Sequence, residues 1–144
     1  MPVNAGSVEY SVKSRFKNLP LANNHALVAS ARKGVSTKVF YDFVDIIKIP
    51  EKNLAAIINL SARTISNYKE KKQNLEPTYS EHLLKLIALY KKGEEIFGNI
   101  PEFNYWLQKP FWNSADKPID WLVTSGGVDL VMEEIDKLAQ GYPV

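Results

Sequence analysis

The sequence predicts an all-α protein, an N-terminal helix-turn-helix bundle followed by a small helical domain. Apolar residues recur at helical spacing, no segment alternates strongly at period two, and Pro and Gly punctuate the helical runs. Residues 1–20 are polar and mixed, with Pro2, Gly6 and Pro20, and read as an arm whose Lys13, Arg15 and Lys17 either touch DNA or keep the segment soluble, solubility being the favoured reading. A short helix over 21–31 would end near Gly34 as a C-terminal cap. From Ser36, the residues Val39, Phe40, Phe43, Val44 and Ile47 form an apolar helical face, stopped by Pro50, which also suits the first turn of the next helix.

Residues 51–71 are the most informative stretch. Ala55 is small enough for two helices to approach closely, Leu54, Ile58, Ile65 and Tyr68 supply apolar contacts, and Leu60 falls in the turn. Asn59 occupies the turn position usually held by Gly, and Asn tolerates the left-handed backbone required there. Ser61 is placed to cap a second helix from Ala62. That helix would display Arg63, Thr64, Ser66, Asn67 and Lys69, with Lys71 and Lys72 beyond it. Arg bonds guanine and Asn adenine in bidentate fashion, Thr or Ser serves a base edge or phosphate, and Lys reaches backbone phosphates. Any solvated helix carries such residues singly; packing positions and polar face together favour DNA binding.

Glu76-Pro77 ends this unit, and Ser80 could cap a long amphipathic helix lined by Leu83, Leu84, Ile87, Leu89 and Tyr90, ending near Lys92 and Gly93. Short helices follow over 102–107 and 119–123, then a last amphipathic helix from about Val128 with Val131, Met132, Ile135 and Leu138 inward. The expected organisation is an arm and short helix at 1–34, a DNA-binding domain at 35–75 and a helical domain at 76–144.

Charge follows the same division. Residues 1–75 carry 12 Lys or Arg against 5 Asp or Glu, and residues 76–144 carry 6 against 11. A basic half suits phosphate, while an acidic half is repelled from it and is free to face another partner. Cys is absent, which excludes disulfides, thiolate metal sites and thiol catalysis. No apolar run of signal or membrane-spanning length occurs, so a cytoplasmic protein without a membrane partner is expected.

Catalytic chemistry is poorly represented. His25 and His82 lie in different halves, and HExxH, GxSxG and P-loop patterns are missing. Thr124-Ser125-Gly126-Gly127 lacks the Lys and preceding strand of a phosphate loop and reads as a helix start. Glu94-Glu95 and Glu133-Glu134 are sequence neighbours that diverge around a helix, so neither is a dyad or metal clamp. The expectation is a non-enzyme with no cofactor and no metal.

Trp106, Trp112 and Trp121 fall in a single stretch with Phe103, Tyr105, Phe111, Pro110 and Pro118. Short helices need large side chains to fill a core, yet Phe111 and Trp112 lie on a predicted loop, where aromatics often anchor interfaces. Both readings stand at this level.

Arg63-Thr64-Ile65, Ser80-Glu81, Leu83-Leu84, Phe97-Gly98, Trp106-Leu107, Pro110, Pro118, Leu122, Thr124, Gly127, Val131 and Gly141, taken in order, resemble the Xre/MbcA/ParS antitoxins over about residues 36–144. The resemblance implies an Xre-like helix-turn-helix joined to a toxin-binding domain, a RES-domain toxin that consumes NAD or transfers ADP-ribose as partner, a homodimer, and repression of the chain's own operon. It also implies toxin contact at Phe111, Trp112, Asp116, Thr124, Gly126 and Gly127, and at the terminal residues Gly141, Tyr142, Pro143 and Val144, which in this family can block the toxin's NAD pocket. Where the family often has Leu-Gly-Gly, this chain has Asn113-Ser114-Ala115-Asp116, which changes the backbone conformations open to the loop.

The sequence reading is therefore an antitoxin of a type II toxin-antitoxin system that binds operator DNA as a dimer, since paired recognition helices read half-sites about 34 Å apart. The alternatives are a stand-alone dimeric helix-turn-helix transcription regulator without a toxin partner, and a protein-interaction adaptor with a degenerate motif.

Overall fold

The computed structural model describes residues 11–111 and 114–141, and among these residues the chain is helical with no strand. In chain order the helices are α1 (Val12–Arg15), α2 (Asn24–Lys33), α3 (Thr37–Ile47), α4 (Glu51–Ile57), α5 (Ala62–Glu70), α6 (Pro77–Phe97), α7 (Ile100–Leu107), a 3₁₀ segment (Pro118–Val123) and α8 (Ser125–Ala139). The buried apolar side chains of both halves form one cluster.

At the centre lies α6, which packs against α1, α2, α7 and α8. Leu83, Leu84, Leu86, Ile87, Leu89 and Tyr90 are all buried, so its apolar surface extends around most of the helix rather than along one stripe. It begins earlier than its sequence suggests. Pro77 occupies the first turn, where its missing N–H costs nothing, and Glu76 is the N-terminal cap residue. Ser80, expected to cap the helix, is instead fully buried; its hydroxyl accepts from the Val35 N–H and donates to the Leu75 carbonyl, both at 2.9 Å.

The helix also ends later than expected, continuing through Gly93 to Phe97 with Gly98 as its cap at φ 95°. Gly93 is covered by the Phe103 ring, and a Cβ there would collide with it. Its glycine admits a neighbouring ring instead of stopping the helix.

Part of the predicted arm is structured. Val12 and Phe16 are buried, and the Glu94 carboxylate accepts from the Val12 N–H at 3.0 Å and from the Lys13 N–H. Burial raises the Glu94 pKa, opposed by those two backbone donors. Arg15 bridges to Asp42 at 3.4 Å and Asp45 at 3.2 Å on α3. The signal missed at this point is the four-residue spacing of Val12 and Phe16, one turn of apolar helix too short to establish a period.

Edge-on, stacked and tilted aromatic contacts link Phe16, Phe43, Tyr90, Phe103, Trp106, Phe111 and Trp121, with successive ring centroids 5.0–6.4 Å apart. The Tyr90 hydroxyl donates to Asn104 at 2.8 Å, and the Asn104 amide donates to the Ile47 carbonyl at 3.0 Å. Burial pushes the Tyr90 phenol pKa up, keeping it a neutral donor. No described helix is long and apolar enough to cross a membrane.

Candidate functional site

The helices α4 and α5 form the predicted helix-turn-helix. Leu54, Ala55, Ile58 and Ile65 are buried at its seam, and Tyr68 is half-buried. Asn59 turns the chain at φ 68°, and the next N–H, of Leu60, donates to the Ala55 carbonyl at 2.9 Å. This is the left-handed residue predicted from its position. Ser61 caps α5 by accepting from the Thr64 N–H at 3.0 Å, and the Ser61 and Thr64 hydroxyls hydrogen-bond to each other at 2.9 Å.

Ile65 is the one buried residue of α5. Arg63, Asn67 and Lys71 follow at four-residue intervals and are exposed, which puts them along one stripe of the helix and its cap. Ser66 is half-buried, and Lys69 is exposed with its Nζ 5.0 Å from the centroid of the Tyr41 ring on α3. Lys72 lies just past the helix at φ 55°. Arg63 and Asn67 are thus exposed on one stripe of α5, whereas the Ser61 and Thr64 hydroxyls are bonded to each other.

A second set of residues surrounds Trp121. The Phe111 ring is 5.2 Å from the Trp121 ring and 6.4 Å from that of Trp106. The Phe111 N–H donates to the Asp116 carbonyl at 2.9 Å, closing the loop, while the Asp116 side chain is exposed. Thr124 caps α8 by accepting from the Gly127 N–H at 2.9 Å, as expected of a helix start. Gly127 is pressed against the Trp121 carbonyl, leaving no space for a Cβ, whereas Gly126 faces open space. Gly141 is exposed at φ 86°. Trp112, Tyr142, Pro143 and Val144 lie outside the described residues.

The two sets are joined. The Asn59 side-chain amide donates to the Val123 carbonyl at 3.0 Å, so the turn of the helix-turn-helix rests on the 3₁₀ segment that leads into Thr124. From α6, the His82 Nε2 hydrogen-bonds the adjacent Leu122 carbonyl at 2.7 Å. This bond requires Nε2 to carry the proton. Burial pushes the His82 pKa below its ordinary value, so the ring stays neutral at pH 7. The sequence assigns Asn59 a backbone role only, and no local signal marks a partner 64 residues away.

Among the described residues no group of three or more His, Cys, Asp or Glu could hold a metal ion. Residues 26–88, from within α2 to the middle of α6, match the model of the antitoxin Xre-like helix-turn-helix domain. A search of curated proteins found no match.

Proposed function

We propose, from the Xre-like helix-turn-helix domain at residues 26–88, that this chain is the antitoxin of a type II toxin-antitoxin system. It acts as a dimer, with Arg63 and Asn67 of each α5 entering successive major grooves of its own operator. Ser61, Thr64, Ser66, Lys69, Lys71 and Lys72 position the helix on the phosphates. The acidic part from residue 76 holds a RES-type, NAD-consuming toxin, using Phe111, Trp112, Asp116, Thr124, Gly126 and Gly127. The terminal residues Gly141, Tyr142, Pro143 and Val144 cap the toxin's active site. The division after Leu75 is then one of task, within a shared core.

The observation that carries this reading is the antitoxin-type match over α2–α6, supported by the exposed Arg63 and Asn67 on α5. The test is expression of the neighbouring reading frame with and without this chain. Alone, that product should deplete cellular NAD and stop growth; together, the two should co-purify and growth resume. A neighbour that is harmless by itself, with no co-purifying partner, would refute the antitoxin assignment. Truncation after Gln140 isolates the active-site cap, since only a toxin plugged by the tail regains activity when the tail is removed.

A further inference from the structure

The end of α2 is stitched to the segment following α5, and each of the two segments brings a pair of cations next to the seam. Gly34 leaves α2 at φ 85°, and its carbonyl accepts from the Asn74 side-chain amide at 3.3 Å. The next carbonyl, of Val35, accepts from the Leu75 N–H at 2.9 Å. Buried Ser80 bridges the same two segments through the Val35 N–H and the Leu75 carbonyl. These bonds fix their register. Arg32 and Lys33 immediately precede Gly34, and Lys71 and Lys72 stand just ahead of Asn74.

All four side chains are exposed, and among the described residues none forms a salt bridge. Glu70 and Glu76, the nearest carboxylates in sequence, do not bridge them, and the Glu76 carboxylate hydrogen-bonds with Tyr68. Basic residues in the last turn of α2 complement its helix dipole. That accounts for Arg32 and Lys33 singly. It does not account for Lys71 and Lys72, which flank the same seam from about 40 residues farther along the chain. Like charges carried to one seam raise the local positive potential, which draws an anion.

We propose that Arg32 and Lys33 form a second phosphate-binding element beside Lys71 and Lys72, by which the end of α2 grips the backbone of the duplex that α5 enters. The inference rests on the DNA-binding reading above and extends it to a helix outside the α4–α5 motif. The interaction is sequence-independent, because the groups bound are phosphates.

The test uses the full chain and a random-sequence DNA duplex, with affinity measured by fluorescence anisotropy across a range of salt concentrations. Arg32→Gln with Lys33→Gln should make the slope of log affinity against log salt shallower by about two, near 0.9 for each phosphate no longer neutralised. Lys91→Gln with Lys137→Gln, the same charge change on α6 and α8, should leave the slope unaltered. Melting followed by circular dichroism separates the alternative, since a purely dipolar role would lower the melting temperature and leave the slope as it was. An unchanged slope in a variant that still binds DNA overturns the phosphate element and spares the DNA-binding reading. If the intact chain shows no salt-dependent affinity for this duplex or for DNA upstream of its own gene, both fall together.

Discussion

Asn59 donates its side-chain amide proton to the Val123 carbonyl at 3.0 Å while its own backbone sits at φ 68°. One residue thereby serves both the turn and its anchorage. Asn59→Gly keeps the backbone and loses the bond, so unfolding in denaturant should show a loss of about 0.5–1.5 kcal/mol. Asn59→Ala loses the bond and adds the left-handed penalty, about 1–2 kcal/mol more. Equal stability of the two variants would contradict this division.

Ser80→Ala should be among the costliest small substitutions in the chain. It removes a buried hydroxyl and leaves the Val35 N–H and Leu75 carbonyl without that partner. A loss of about 1–3 kcal/mol is expected on chemical denaturation. A change below about 0.5 kcal/mol, the usual range for a surface site, would show that the two groups find other partners.

Gly126 and Gly127 are neighbours with opposite tolerances. A methyl group at Gly126 meets open space, whereas at Gly127 it meets the Trp121 carbonyl, which cannot yield as a flexible side chain does. Gly126→Ala should melt within a few degrees of the parent, and Gly127→Ala should melt well below it. Toxin inhibition by Gly126→Ala therefore tests the proposed contact free of any folding defect.

The pH dependence of stability should carry a histidine component. His82 has a folded pKa depressed by burial, so its stabilising contribution is present above the unfolded value of about 6.5 and is lost as pH falls through the folded value. Below the unfolded value, the unfolded chain binds a proton that the folded chain resists. His82→Gln can still donate to the Leu122 carbonyl and does not titrate, so its stability should fall less steeply between neutral and mildly acidic pH. Parallel profiles for parent and variant would exclude His82 as the source.

Arg63→Ala should weaken operator binding by about 1–3 kcal/mol and relax preference at one base position. Competition between single-base operator variants measures this. A uniform loss across all variants would reassign Arg63 to a phosphate.

What is legible in the sequence is local. Asn59 and Ser61 can be read because a left-handed turn and a helix cap each depend on a few adjacent residues, and the exposed stripe of α5 follows from Ile65 pointing inward. Features requiring a distant partner are not legible. Ser80 resembles a cap until Val35 and Leu75 are seen beside it, and Gly93 resembles a helix stop until Phe103 is seen covering it. The aromatic stretch is ambiguous for a related reason: Phe111 is half-buried against Trp106 and Trp121, so a ring can serve the core and still present an edge.

The bond between the Val12 N–H and the Glu94 carboxylate spans 82 residues, and this imposes an order on biosynthesis. A helix of four residues does not persist by itself in water. Although α1 leaves the ribosome before the other described helices, it must wait for the far end of α6 before it can dock, by which time every residue of the helix-turn-helix has been made. The earliest-made of the described helices is therefore among the last to settle, and its arrival records that the central helix is complete.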